Sequence, residues 1–226
     1  YRNKVQFPVS QGKHGLAVGY YRARTHEVLD APDCPLQPEA VTRLRTAFKG
    51  WMERYGVPAY DERAGTGLIR HLYVRTSSRC ESLVCVVANG SRLPHADKLV
   101  ESLRQAEPGL AGVVLNTNTR DTNVILGDKY HALWGRDWLE EDLCQFTFRL
   151  SVPSFFQINR EQTQVLYRTA LELAQLKGDE TVLDLYCGIG SISLALAGLA
   201  GRVIGAEIVP QAIEDANGNA RRNGIR

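Results

Sequence analysis

Residues 181–223 constrain the fold more than any other part of this chain of 226 residues. A short apolar run at Thr181–Leu185 leads into a glycine-rich turn, and a helix is predicted directly after it at Ser191–Leu199. A second strand at Arg202–Ala206 and a second helix at Pro210–Asn223 follow. This alternation is typical of a parallel α/β sheet. Two strands cannot complete a sheet that needs cover on both faces, so the chain is predicted to hold only part of such a domain.

The turn between the first strand and its helix carries the groups that a nucleotide-like cofactor needs. Gly188 and Gly190 allow a sharp turn and close approach of a ligand, and Glu207 ends the second strand, where a carboxylate can accept both hydroxyls of a ribose. A dinucleotide prefers a third small residue where this chain has Ser193, whereas S-adenosylmethionine needs only two glycines and an acid before the turn, here Asp184. The pattern favours S-adenosylmethionine over NAD; a turn without any ligand is the third interpretation.

Strands dominate the rest of the chain. Residues 1–150 are predicted to form an α+β domain with helices at residues 38–55 and 95–105, and residues 151–226 the start of the α/β domain. A helix at Gln162–Lys177 is expected to carry Leu166, Ala170, Leu173 and Ala174 on one face. The strands of the first domain are expected at Arg2–Val9, Leu16–Tyr20, His26–Leu29, Leu68–Arg75, Ser82–Ala88, Gly112–Asn116, Thr122–Leu126 and Gln145–Leu150.

Composition excludes several classes of protein. The chain is 44% hydrophobic and 23% charged, which is ordinary for a globular domain and unlike a disordered or fibrous one. No run of about 18 apolar residues is present, so no membrane partner is expected. Five irregularly spaced cysteines fit reduced thiols in the cytoplasm better than a disulfide framework. The net charge of +2 is too small to indicate a nucleic-acid partner by itself.

Several motifs resemble the bacterial RNA (uracil-5-)-methyltransferases, in particular those that act on 23S ribosomal RNA. The resemblance spans nearly the whole chain, and its two most specific motifs are Ser-Phe-Phe-Gln at 154–157 and Leu-Tyr-Cys-Gly at 185–188. It implies a central α+β domain followed by the first part of a class I methyltransferase (Rossmann-like) fold. The other matching motifs are residues 1–8, 67–71, 123–127, 133–135, 206–212 and 219–224.

The resemblance implies a set of residues that contact S-adenosylmethionine. Gln157 corresponds to a glutamine contact, Tyr186 to an aromatic contact and Glu207 to the ribose carboxylate. Each has a structural alternative: Gln157 as a helix cap, Tyr186 as a core aromatic and Glu207 as a solvated acid. Ser191 stands where several relatives have Asn, which puts its contact in doubt. The predicted cofactor-binding residues are Gln157, Asp184, Tyr186, Gly188, Gly190 and Glu207.

The family's chemistry needs a cysteine thiolate that adds to C6 of uracil, because C5 alone is too weak a nucleophile to take the methyl group. A base then removes the C5 proton and the cysteine leaves. Cys187 is rejected as this nucleophile, because it lies inside the cofactor turn and is explained as a small buried residue. The nucleophile and the base are expected beyond Arg226, so residues 1–226 alone are expected to be inactive.

Cys34 lies in a segment that resembles the family's site for a fourth iron–sulfur ligand. The other three cysteines are expected before Tyr1. Because such a cluster is held by four thiolates, none is expected in residues 1–226, where Cys34 is read as a partly buried thiol; a cluster is expected only in a longer protein.

The predicted partner is RNA, with ribosomal RNA favoured, and a cytoplasmic monomer is expected. His71 either faces RNA or bonds within the sheet, and several arginines either contact phosphates or form solvated surface. Two other functions remain open: a non-catalytic RNA-binding module, and an NAD-dependent oxidoreductase. The arginines are Arg22, Arg24, Arg43, Arg45, Arg70 and Arg75.

Overall fold

A computed structural model describes residues 1–12 and 15–225, and Lys13, His14 and Arg226 lie outside the described part. The chain divides into two compact units. The N-terminal unit comprises Arg2–Thr76 and Cys80–Asp137, and the C-terminal unit comprises Trp138–Arg226 with Ser77–Arg79 and Tyr1. The sequence-based division ends the first domain at residue 150, whereas this division falls at residue 137.

The N-terminal unit is built on a sheet of seven strands in the order β3-β2-β1-β4-β5-β6-β7. Neighbouring strands are antiparallel except β5 and β6, which run parallel because helix α2 (Ala96–Ala106) crosses between them. Six of the eight strands predicted for residues 1–150 are present here, β5 with the predicted bounds and the other five with shifted ends. The strands are β1 (Lys4–Gly12), β2 (Gly15–Tyr21), β3 (Val28–Asp30), β4 (Ile69–Thr76), β5 (Ser82–Ala88), β6 (Leu110–Thr117) and β7 (Lys129–Gly135).

Helix α1 (Glu39–Tyr55) packs on this sheet through the face that its sequence predicts. Val41, Leu44, Phe48 and Met52 recur at three- and four-residue steps, and all four are buried in one hydrophobic core with the strands. The helix ends at Gly56, whose φ of 61° lies in the left-handed region and whose N–H bonds to the carbonyl of Met52.

The predicted strand at Thr122–Leu126 is wrong, because these residues form a loop held by asparagine side chains. Asn118 donates from Nδ2 to the carbonyls of Val124 and Ile125, at 2.7 and 2.9 Å. Backbone groups that bond to side chains in this way are not free to pair with a strand. The true edge strand, β7, was missed: its residues are mostly exposed, and the polar–apolar alternation of Lys129–Ala132 stops at Leu133.

The C-terminal unit begins with a hairpin, β8 (Trp138–Leu143) and β9 (Phe146–Ser151). Helix α3 (Arg160–Ala174) leads to β10 (Thr181–Leu185), α4 (Ser191–Ala197), β11 (Arg202–Ala206) and α5 (Pro210–Arg222). The predicted alternation of strand and helix is therefore confirmed, and β10 pairs with β11 in parallel. Strand β8 was not predicted.

Helix α3 is confirmed with shifted ends, and the four apolar residues expected on one face share that face: Leu166, Ala170, Leu173 and Ala174. Leu166 and Leu173 are 61% and 77% exposed, whereas Thr163 and Tyr167 are buried. The Tyr167 hydroxyl lies 2.8 Å from the Ser191 hydroxyl, so α3 meets α4 through a polar contact that apolar periodicity does not detect. Among the described residues, no helix has the length and apolar character needed to cross a membrane.

Candidate functional site

The glycine turn follows β10 where the carboxyl ends of the two parallel strands meet. Leu185 pairs with Ala206 at that end, and the N–H of Cys187 donates to the carbonyl of Ala206 at 3.0 Å. Tyr186, Gly188 and Gly190 all have positive φ, at 64°, 54° and 81°. A Cβ added at Gly188 would meet nothing within 4 Å, so the surface there is open to a ligand.

Glu207 connects the end of β11 to this turn. Its Oε2 accepts from the N–H of Gly188 at 3.1 Å, and its Oε1 accepts from the N–H groups of Ile208 and Val209 at 2.8 and 3.0 Å. These hydrogen bonds lower the pKa of the Glu207 carboxyl, and the bond from Val209 contributes most. Burial acts in the opposite direction but has the smaller effect. A carboxylate accepts about four hydrogen bonds, so one position remains for a ligand hydroxyl. Contact with both ribose hydroxyls requires Glu207 to release one N–H.

A side chain of α4, the helix that follows the turn, holds Asp184 in place. Ser193 donates its hydroxyl proton to Oδ2 of Asp184 in a short hydrogen bond. Ser193 stands at the third position of the turn pattern, where a dinucleotide site prefers a small residue. Its hydrogen bond to Asp184 explains why a serine occupies this position. Sequence reasoning missed the pairing, although the two residues lie in consecutive elements.

Within the described residues, two predicted contacts do not take their structural alternatives. Tyr186 is 86% exposed at the start of the turn and is not part of the core that residues 1–226 form. Gln157 is exposed and does not cap α3, because Asn159 accepts from the N–H of Gln162 at 3.1 Å and forms the cap. The Ser191 hydroxyl is hydrogen-bonded to the hydroxyl of Tyr167, so it has a structural partner within the chain.

Cys187 is buried beneath the turn, with a side chain only 7% exposed. Burial and the nearby carboxylates of Asp184 and Glu207 raise the pKa of its thiol. A nucleophilic cysteine needs the opposite shift, because the thiolate is the reactive form. A Cβ added at Gly205 would lie 2.9 Å from the Cys187 sulfur, so the thiol packs tightly against β11.

Helix α5 supplies polar contacts that sequence reasoning did not single out. Asn219 is 1% exposed, donates from Nδ2 to the carbonyl of Ile189 at 3.3 Å and accepts at Oδ1 from the N–H of Arg149 at 2.8 Å. Asp215 accepts from the hydroxyl of Ser154 at 3.0 Å. The signal available in the sequence was the four-residue spacing of Asp215, Asn219 and Asn223.

Several candidate RNA contacts serve the N-terminal unit itself. Arg45, Arg70 and Arg75 are at least nine-tenths buried, which excludes solvated surface for these three. Arg70 donates to the carbonyls of Asn118 and Arg120. His71 is also buried, and burial, with the charge of Arg70, lowers its pKa to about 4.

The remaining candidates lie nearer the surface. Arg22, Arg24 and Arg43 are exposed, and Cys34 is partly exposed. Within residues 1–12 and 15–225, no three His, Cys, Asp or Glu side chains are grouped to hold a metal ion. The assignment of Cys34 as a cluster ligand stays a prediction.

A glycine turn after the first of two parallel strands, with an acid at the end of the second, defines a class of α/β cofactor-binding proteins. The family model of the tRNA (Uracil-5-)-methyltransferases matches residues 96–226. Because that match covers more than half of the chain, the chain belongs to this family.

Relatives extend the similarity to the whole chain. An uncharacterized RNA methyltransferase of Halalkalibacterium halodurans is 43% identical over 226 residues, which are 100% of this chain and 49% of that protein. One from Clostridium tetani is 41% identical over the same share of each chain. The chain thus spans about half the length of the curated relatives it matches.

A solved structure has the same fold. The Pyrococcus abyssi tRNA (uracil-54, C5)-methyltransferase, in complex with S-adenosyl-L-homocysteine, matches with a TM-score of 0.81 at 23% identity. The match covers 100% of this chain and 53% of that one. The expected class I methyltransferase fold, preceded by an α+β domain, is confirmed.

Proposed function

We propose that the protein containing this chain transfers a methyl group from S-adenosylmethionine to C5 of a uridine in RNA. The observation that carries the proposal is the glycine turn clamped by the Glu207 carboxylate at the ends of β10 and β11. Family membership supports the reaction class.

The residues around the turn fit S-adenosylmethionine. Gly188 leaves its ligand side open, Glu207 retains an acceptor position for a ribose hydroxyl, and Tyr186 offers an exposed ring. When bound, the cofactor supplies an electrophilic methyl group. Asp184 and Gln157 complete the proposed set, with Asp184 held in place by Ser193.

We further propose a covalent route for the uracil. A cysteine thiolate adds to C6, C5 takes the methyl group, a base removes the C5 proton, and the thiolate leaves as the C5–C6 double bond returns. Cys187 is unsuited to this step because burial raises the pKa of its thiol. The proposal therefore assigns the nucleophile and the base to parts of the protein outside residues 1–226.

For the substrate we propose 23S ribosomal RNA, on the resemblance of the sequence motifs. We propose a cytoplasmic location, which the five free cysteines support, and a monomeric state. On the resemblance of its segment, we propose Cys34 as the fourth ligand of an iron–sulfur cluster in a longer protein.

The substrate is tested with the full-length protein, tritiated S-adenosylmethionine, and unmodified 23S ribosomal RNA and tRNA offered separately. We expect label in ribosomal RNA, recovered as 5-methyluridine on nucleoside analysis. Label in tRNA alone would overturn the substrate, and no label in either RNA would overturn the reaction. RNA binding that falls steeply with salt but ignores the cofactor would instead favour a non-catalytic binding module.

The cofactor site is tested with Glu207→Ala in the full-length protein. We expect S-adenosylhomocysteine to bind roughly tenfold more weakly or worse, because a charge-assisted hydrogen bond is lost. Glu172→Ala is the matched control, since Glu172 is an exposed acid on α3. Calorimetric titration measures both, and equal affinity in the two variants would contradict the assignment of Glu207.

A further inference from the structure

One side of α5 carries a row of polar side chains directed at β9. Asp215 and Asn219 lie one turn apart on α5, and Asn223, the residue directly after the helix, continues the same four-residue spacing. Asn219 is 1% exposed, and α5 makes its closest packing in the unit against β9. The row is therefore part of an internal contact and not a solvated face.

The row bonds to the backbone of β9 as a neighbouring strand would. Asn223 accepts at Oδ1 from the N–H of Thr147 at 2.9 Å and donates from Nδ2 to the Thr147 carbonyl at 2.8 Å. Asn219 accepts from the N–H of Arg149 at 2.8 Å. Both amides belong to the edge of β9 that β8 leaves unpaired.

Helix and strand geometry make this pairing possible. Four residues of α-helix advance about 6.0 Å, and two residues of strand advance about 6.6–6.8 Å. Side chains at every fourth position of α5 therefore keep step with every second residue of β9 over this short contact.

Two members of the row also reach the proposed cofactor site. Asn219 donates to the carbonyl of Ile189, which lies between the two glycines of the turn. Asp215 accepts from the Ser154 hydroxyl, and Ser154 in turn accepts from the N–H of Ser151 at 3.0 Å. Ser154 opens the segment that leads to Gln157.

We propose that Asn219 and Asp215 are positioning residues that fix the glycine turn and the Ser154–Gln157 segment relative to each other. The inference rests on the proposed function, since it assumes that both parts contact the cofactor. Asn219 suits the task because its carboxamide has a donor for Ile189 and an acceptor for Arg149. Aspartate lacks the donor and leucine lacks both.

The test compares Asn219→Ala with Asn217→Ala in the full-length protein. Asn217 is an exposed asparagine on the same helix, so the control removes the same group without touching β9 or the turn. We expect Asn219→Ala to raise the KM for S-adenosylmethionine and the Kd for S-adenosylhomocysteine about tenfold, as for loss of buried hydrogen bonds. We expect kcat at saturating cofactor to stay within about twofold, because the row touches no reacting atom.

A purely structural contact would lower the melting temperature and leave KM and Kd unchanged, and that result would overturn the proposal. Asp215→Asn and Asp215→Ala form a second pair if Asn219→Ala does not fold. The amide keeps an oxygen for Ser154, so Asp215→Asn should retain cofactor affinity that Asp215→Ala loses. Equal affinity in this pair would also overturn the proposal. A wild-type protein that binds no S-adenosylhomocysteine would refute the proposed function itself, whereas normal wild-type binding with unaffected variants refutes only the positioning role.

Discussion

The central strands of the N-terminal unit and the parallel pair of the C-terminal unit bury their side chains very differently. Every residue of β4 and β5 is buried, whereas β10 alternates between exposed and half-buried positions. Leu183 and Leu185 are 58% and 60% exposed, and Ile208 beyond β11 is 88% exposed. Local sequence signals were therefore sufficient to predict β10 and β11, although β10 is only partly covered within residues 1–226. Within these residues, side chains are buried more completely on β4 and β5 than on β10.

The largest expected effect is on the free energy of unfolding of the N-terminal unit. Leu72→Ala should lower it by about 2–5 kcal/mol, because Leu72 is fully buried in the core. Leu183→Ala, the matched change on β10, should stay within about 0.5 kcal/mol in the chain of residues 1–226. Urea unfolding followed by tryptophan fluorescence measures both. Similar losses would break the comparison, and a larger cost for Leu183→Ala in the full-length protein would show that further chain covers β10.

The next effect is a pH dependence confined to the N-terminal unit. Burial, assisted by the charge of Arg70, lowers the pKa of His71 from 6.5 to about 4. The unfolded chain therefore binds a proton between these values that the folded chain does not, and stability falls as the pH drops through this window. The loss approaches about 3 kcal/mol near pH 4. His71→Gln should remove this part of the acid sensitivity in urea unfolding at several pH values, while His131→Gln, at an exposed position on β7, should retain it.

The smallest of these effects concerns the tight contact beneath the glycine turn. Gly205→Ala would place a Cβ 2.9 Å from the Cys187 sulfur, and overpacking of this kind costs about 1–3 kcal/mol. Adding Cys187→Ala to the Gly205→Ala variant should restore much of the lost stability, because it removes the sulfur that the new Cβ meets. Thermal melts of the two single variants and the double variant give the coupling. Additive losses would mean that the thiol is not the obstacle.

The glycine turn was predictable from the sequence because the residues that determine it lie close together in the chain. The bounds of β10 and β11 agree with the expectation, since a strand, two glycines and a helix start lie within a short stretch of chain. The α1 core face was predictable for the same reason, from one apolar period.

The missed features depend on partners distant in the chain. Asn219 contacts residues 70 and 30 positions away, and no short window of sequence contains both ends of either bond. The loop at 122–126 was mistaken for a strand because the Asn118 side chain satisfies carbonyls that a strand would have used. The contact between α3 and α4 was missed because it is polar and joins Tyr167 to Ser191.

The asparagine row on α5 has a consequence for association between copies of the protein. An unpaired strand edge is a template on which another chain can add a strand, and natural proteins block such edges. Asn219 and Asn223 occupy the amides of Arg149 and Thr147 on the open side of β9. Asn219 on α5 and Asn223 directly after the helix therefore close this edge of the β8–β9 hairpin against intermolecular strand addition, and they do so without contributing a strand.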